Sequence, residues 1–351
     1  APALGAGFQI PEQGMAPMAM GMGSVGLAED LSAIYHNPAG LTQLEGMNAA
    51  VTVVAIKPSA TYTRRDTLGA KIGASAEAKD DPIPVPALAV SKSLRDDLTV
   101  AVGVYTPYGL SSEYSEEGVQ RYMSTNISLT TFYVGPYVAW RPIPKLSVGA
   151  GAQYVYGSAE LGQHANYGGA LLRKAAALAA AGNTTLRDAL AQYEGGDPRK
   201  ANEDVRLDGV IDVTDATDNA MSFNLGVLYQ VTDQVQVGAT FRKGVDLAGE
   251  GDVDLTVPAE VTQFSGGTMT SLKTTGGTTV SLPDVFGVGV AYRPLPELVV
   301  TSELNYHRWS SYKDLDFDFA VNDALADPST HYLPDATNPR NWDDTITFRL
   351  G

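Results

Sequence analysis

The chain has 351 residues, no cysteine, 36 glycines, 17 tyrosines and only 18% charged side chains, which excludes disulfides, thiolate metal sites and a cysteine nucleophile and favours strands and turns. A formal charge of −16 opposes phosphate binding and removes nucleic acid from the expected partners. No run approaches the roughly 20 apolar residues of a membrane helix, but membrane-spanning strands remain open, because their lipid-facing and inward residues alternate and average to a mean hydropathy such as the −0.08 found here.

The leading residues Ala1-Pro2-Ala3-Leu4 show no basic or apolar leader, so an exported chain is read here with its signal peptide removed. Residues 1–46 do not read as strands. Gly5, Gly7, Gly14, Gly21, Gly23 and Gly26, with four methionines from Met15 to Met22, suit a compact plug whose backbone approaches other backbone closely inside a lumen.

Beyond residue 46, apolar residues recur with period two. Leu146, Val148, Ala150, Ala152, Tyr154 and Tyr156 alternate with Ser147, Gly149, Gly151 and Gln153, as in a barrel wall with one face to lipid and one to a lumen. Val235, Val237, Ala239 and Phe241 alternate with Gln236, Gly238, Thr240 and Arg242, which points Arg242 inward. Phe286, Val288, Val290 and Tyr292 form a third such face, and Leu298, Val300, Leu304 and Tyr306 a fourth, the last opposed by Thr301, Glu303, Asn305 and His307. This pattern predicts about ten strands, near 48–64, 84–95, 98–110, 126–141, 145–158, 219–231, 234–247, 281–293, 297–318 and 343–351.

The links between strands alternate in length. Segments 92–97, 141–145, 231–234 and 293–297 read as tight hairpins, whereas 111–125, 161–218, 248–282 and 318–341 are long. Short turns at one end and long loops at the other are the habit of outer-membrane barrels. Within the longest link, 168–181 is rich in helix formers with Leu171, Ala175, Leu178 and Ala179 on one face, and Thr184 could cap a second helix over 185–193. Leu171 and Leu178 are therefore candidate contacts for an apolar ligand at the mouth, or they pack only on neighbouring loops.

Chemistry is sparse. His36, His164, His307 and His331 show no ligand-like spacing, Ser111-Ser112 and Ser310-Ser311 lack a nucleophile-elbow frame, and Gly266-Gly267 and Gly276-Gly277 lack the Lys-Ser/Thr of a phosphate loop. No catalytic residue, metal or cofactor is expected, and binding and transport remain.

Gly7-Phe8-Gln9, the run from Gly21 to Ala28, Asp30 with Ser32-Ala33, and Asn37-Pro38-Ala39-Gly40-Leu41 together resemble the N-terminal hatch of the FadL-type outer-membrane transporters of long-chain fatty acids and hydrocarbons. Tyr108-Gly109-Leu110, Phe241-Arg242-Lys243, Leu282-Pro283-Asp284, Trp309-Ser310 and the stretch from Asn341-Trp342 to Gly351 extend the resemblance over nearly the whole chain. It implies an all-β transmembrane antiparallel barrel of fourteen strands, about ten of them in this chain, with 1–46 as hatch and 47–351 as a C-terminally incomplete barrel carrying external loops near 161–218 and 248–282. It also implies location in a Gram-negative outer membrane, capture of ligand by outer loops, hatch movement, and lateral exit at an inward kink of the third strand. In this sequence that strand runs from Leu98 to Tyr108, with Gly103 and Pro107 as its candidate irregularities.

Apolar burial at about 25 cal/mol per Å² would hold the ligand, with Phe8 among its contacts, Arg242 and Lys243 as partners for an anionic head group and Arg121 as a weaker one. Gly157-Ser158-Ala159-Glu160 stands where the family's fatty-acid carriers commonly show basic residues, which keeps uptake of neutral aromatic or aliphatic hydrocarbons open. A non-transporting structural or adhesive barrel is the reading from another class. The expected partners are hydrophobic small molecules, with outer-membrane lipid and lipopolysaccharide around a monomer.

Overall fold

A computed structural model describes residues 7–65, 71–193, 202–322 and 332–351; His331 and the first six residues lie outside them. The described residues contain seventeen strands, numbered along the chain. Ten make one antiparallel wall in the order β1 (Met47–Ile56), β4 (Ile83–Arg95), β5 (Leu98–Tyr105), β7 (Asn126–Ile143), β8 (Leu146–Asn166), β9 (Asp208–Gln230), β10 (Val235–Arg242), β13 (Val285–Leu295), β14 (Leu298–His307) and β17 (Thr345–Leu350). β1 and β17 end the path and are not paired with each other.

The expected parity is present throughout this wall. Tyr154, Tyr156, Phe286, Val288, Val290, Tyr292, Leu304 and Tyr306 are exposed on its outer face, whereas Ser147, Gln153, Arg242, Thr301, Glu303, Asn305 and His307 are buried on the inner one. Large apolar side chains exposed in a continuous band belong in lipid, since a water-facing surface of this extent would be an association hazard. The outer face carries a row of rings, Phe223, Phe241, Phe286 and Tyr306, with successive centroids 5.7, 4.7 and 6.3 Å apart. Tyr292 lies six residues along β13 from Phe286, about 20 Å at strand rise, close to the height of an apolar barrel band.

The tight turns join β4 to β5, β7 to β8, β9 to β10 and β13 to β14, all at one end of the wall. Several expected boundaries change at the other end. The strand expected over 48–64 stops at Ile56, just before Pro58, and a separate hairpin follows, β2 (Thr61–Arg65) with β3 (Lys71–Glu77). The strand expected over 98–110 is interrupted after Tyr105 and resumes as β6 (Gly109–Glu113), which pairs only with β7.

The long links 161–218 and 248–282 are less open than expected, because β8 and β9 continue as a ladder to Asn166 and Asp208. β11 (Asp246–Thr256) pairs with β9 and with β12 (Leu272–Ser281), and β15 (Asp314–Phe319) and β16 (Ala336–Pro339) extend this outer sheet. Polar and small residues dominate these strands, so hydropathy alone did not reveal them; cross-strand pairing supplies their stability.

The two loop helices form as α3 (Tyr167–Ala180) and α4 (Thr185–Leu190), after the short hatch helices α1 (Met15–Ala19) and α2 (Ala33–His36), with α5 (Ala259–Ser265) beside them. Thr184 stands at the N-cap of α4, where its hydroxyl donates to Asp188 and no side-chain cap bond reaches the helix backbone. Leu171, Ala175, Leu186, Leu190, Leu207 and Val261 make a cap core of their own, with Leu178 packed against it.

Candidate functional site: the hatch, the buried arginine and the wall gap

Residues 7–46 lie against the inner face of the wall, which holds them by hydrogen bonds with several strands. Asn37 is the main fastener. Its extended backbone ends α2, its Oδ1 accepts from the Ala39 amide at 3.2 Å, and its Nδ2 donates to Val25 at 2.8 Å and to Val227 of β9 at 3.1 Å. Pro38, with its preset φ, opens the following 3₁₀ turn. Ala39 and Leu41 are fully buried, and a β-carbon on Gly40 would stand 2.1 Å from the Ala28 carbonyl, so only glycine permits this approach. Asp30 accepts the Ser32 amide at 2.8 Å and also the Ser32 hydroxyl, which shapes the chain just ahead of α2.

Wall side chains reach in from several strands. Glu303 of β14 accepts the Ser24 and Val25 amides, both at 2.8 Å, and pairs with Arg349 of β17 at 2.9 Å and with Asn305. Asn224 donates to the Ile34 carbonyl at 2.8 Å, and Gln236 donates to Gly26 at 2.9 Å. Backbone carbonyls and amides that would otherwise be orphaned in the lumen are thus satisfied by the wall. Sequence parity marked Glu303, Asn305 and Gln236 as inward, but not their partners; Tyr35, Asn224 and Arg349 carried no distinguishing signal.

Arg242 lies at the centre of this arrangement. It is 7% exposed, its guanidinium donates to the Tyr35 carbonyl, and its Cζ lies 4.0 Å from the Tyr35 ring centroid. Its Nε has no acceptor, and among the described residues no carboxylate oxygen lies within 4.0 Å of it. A small cavity of about 20 Å³ opens beside it, lined by Gln9, Tyr35, His36, Thr240, Glu303 and Arg349 among others. Burial lowers the pKa of His36 to about 4, with Glu303 and the Gln13 carbonyl opposing the shift, so the imidazole is neutral near pH 7. Arg349 is offset by Glu303, which leaves one uncompensated positive charge.

Lys243, expected to share a head group with Arg242, does not. Consecutive residues of an extended chain face opposite ways, and Lys243 pairs with Asp284 at 2.8 Å in a half-exposed position at the outer end of β10. Arg121 is also committed, donating to Asp208 at 2.6 Å inside the cap, where Tyr122 donates to the other oxygen of Asp208 at 2.7 Å. Nearby, bidentate bonds of 2.7 Å from Arg64 hold the Glu203 carboxyl below its usual range. Leu171 is 1% exposed within the cap core, where its packing on neighbouring loop elements accounts for it.

The third wall strand carries the interruption. Gly103 is not its cause, because it pairs in regular register with Ala89 and Gly135; its missing side chain instead admits Ile34 of the hatch, whose Cδ1 would lie 2.4 Å from a β-carbon there. The break falls at Thr106-Pro107-Tyr108 and turns inward, with Thr106 and Tyr108 buried. Leu88 with Val104 is the last pair between β4 and β5; beyond it, Ile83–Ala87 of β4 and all of β6 have a ladder partner on one side only. A gap in the wall results, closed at its outer end by Lys79, which bonds the Glu113 carbonyl at 2.7 Å through its amide and the Glu113 carboxylate through its ammonium.

The leading segment lines the inner side of this gap. The Ile10 amide donates to Pro107 at 2.7 Å, the Gly109 amide to Phe8 at 3.0 Å, and Gln13 Nε2 to Thr106 at 2.8 Å. Ile10 packs with Val54 of β1 and Val85 of β4. Phe8 sits in an aromatic cage, its centroid 4.9 Å from Trp309, 5.8 Å from Trp342 and 6.0 Å from Tyr312. A cavity of about 260 Å³ lies between α2 and the inner faces of β1 and β4, bounded by Leu31, Ile34, Ala50, Ala87, Ala89 and Tyr105 among others.

Comparison with known proteins agrees with this architecture. The long-chain fatty acid transport protein of Escherichia coli O6:H1 is 24% identical over 322 residues, which cover 88% of this chain and 67% of that protein. The crystal structure of a Pseudomonas aeruginosa FadL homologue superposes with a TM-score of 0.72 at 15% identity, covering 99% of this chain and 77% of that one. The Ralstonia pickettii toluene transporter TbuX superposes with 0.67 at 20% identity, covering 96% and 82%. At such identities the structural likeness is one of fold, whereas the match to the family described as "Outer membrane protein transport protein (OMPP1/FadL/TodX)" runs over residues 1–351. The chain belongs to this OMPP1/FadL/TodX family of outer-membrane transport proteins.

Proposed function

We propose that this protein admits hydrophobic molecules carrying an anionic head group, such as long-chain fatty acids, passively through the outer membrane. The observation that carries the reading is the buried, uncompensated Arg242, with a free Nε donor and no carboxylate within 4.0 Å among the described residues. An isolated buried cation is costly, and a ligand carboxylate would offset that cost with a charge-assisted hydrogen bond. The adjoining cavity is too small for an acyl chain, so entry requires the hatch to shift.

In this reading ligand is gathered by the outer loops, passes inward as the hatch moves, and leaves sideways through the gap at Thr106-Pro107-Tyr108. Phe8 and its cage would meet the apolar tail. The driving force is burial of alkyl surface, about 25 cal/mol per Å².

A second reading, uptake of neutral hydrocarbons, draws on one observation. Ser158 and Ala159 border a small space with Leu129, Leu247 and Val280 among its walls, and no basic residue lines it. Binding of oleate and of toluene to the purified protein separates the two. Oleate binding that is lost in Arg242→Met, with toluene binding unchanged, supports the fatty-acid reading; absence of oleate binding to the unaltered protein removes it.

A further inference from the structure

Tyr35 touches both ends of the proposed path. Its backbone carbonyl accepts from Arg242 and its ring lies beneath the guanidinium, while its hydroxyl accepts from Gln9 Nε2 at 3.0 Å. Gln9 is bridged to Tyr108 at the wall break, and the next residue, Ile10, fills the inner side of the gap. The carbonyl oxygen of Tyr35 and an incoming carboxylate would compete for one set of donors. An anion is the stronger acceptor, so it displaces the neutral carbonyl.

We infer that Tyr35 is a positioning residue that couples head-group arrival at Arg242 to release of the Ile10 plug from the wall gap. The inference rests on the head-group reading above and deepens it by naming the link. Arg242 turns to the ligand, Tyr35 loses its carbonyl bond, and the strain is passed through the hydroxyl to Gln9 and the leading segment. Coupling of this kind requires that ligand binding and plug seating bias the same two-state element. Here that element is the leading segment, seated or unseated.

Because the chain contains no cysteine, Ile10→Cys provides a unique thiol at the gap. The full chain would be reconstituted in liposomes, and the rate of maleimide labelling followed with and without oleate, in the Ile10→Cys protein and with Tyr35→Phe added. Tyr35→Phe keeps the carbonyl and the ring and deletes only the hydroxyl. The expected result is an oleate-stimulated rise in labelling with Tyr35 present. With Tyr35→Phe, labelling is faster by about fivefold without ligand, the scale of one lost hydrogen bond, and gains nothing further from oleate. Gln9→Leu should reproduce this and add nothing to Tyr35→Phe.

Ligand-free labelling of the Tyr35→Phe protein equal to that of its parent, with oleate stimulation intact, would overturn the coupling. If oleate fails to bind even the Tyr35 protein, the head-group reading falls instead. The ligand-free comparison then still decides whether Tyr35 seats the plug.

Discussion

Gly226 of β9 and Asn37 of the hatch approach so closely that a β-carbon on Gly226 would stand 2.0 Å from Asn37 Oδ1. Gly149 of β8 stands in the same relation to Pro38, at 2.3 Å from its carbonyl carbon, and Gly238 of β10 to the Val25 carbonyl, at 2.1 Å. Inward glycines on three adjacent wall strands thus form the seat of the Asn37-Pro38-Ala39 turn.

Gly226→Ala is expected to unseat that turn while the wall persists, because the clash is with backbone and a short side chain that cannot swing aside. Overpacking of this kind costs about 1–3 kcal/mol. Single-channel conductance should rise and residues 7–46 should become protease-sensitive. Wild-type conductance and protection would show that the seat tolerates a methyl group.

Glu303→Gln keeps the shape but removes the charge that two amides and Arg349 share. Hydrogen bonds to charged groups contribute about 1.5–3 kcal/mol each, and Arg349 would lose its buried partner. Faster amide exchange at Ser24 and Val25, with little change on the outer strands, is the expected outcome.

Protonation of His36 acts against the seated hatch. Its pKa is about 4 when buried beside Gln13 and Glu303, against 6.5 when free, so the unseated state binds more protons between these values. Seating therefore weakens as pH falls from about 6.5 to about 4, and this contribution is level below that. Conductance compared at pH 7 and pH 4.5 should rise in the wild type and rise less in His36→Gln.

Arg121→Met leaves Asp208 buried beside Tyr122 and His164 without its cation. Breaking such a pair from one side costs about 3–5 kcal/mol. The loss should stay within the outer cap, seen as faster exchange over residues 203–213 with the hatch still protected. Equal loosening at Asn37 would show that cap and hatch act as one unit.

The two faces of the wall were legible in the sequence. Period-two alternation over 145–158, 234–242 and 285–307 assigned lipid and lumen faces correctly, because parity along an extended strand is a local property of the chain. The turn at Asn37-Pro38 was legible too, since these two residues encode it locally. Only the tertiary structure decided which inward residues meet. Arg242 and Lys243 looked equivalent until one was found beneath Tyr35 and the other against Asp284, and Gly103 looked like a kink until its neighbours proved to be in register. Leu171 could be read as a ligand contact or as loop packing until it was found inside the cap core. Partners that lie far apart along the chain, such as Glu303 with Val25 or Pro107 with Ile10, leave no local trace, because their contact exists only once the wall has curved around the segment it encloses.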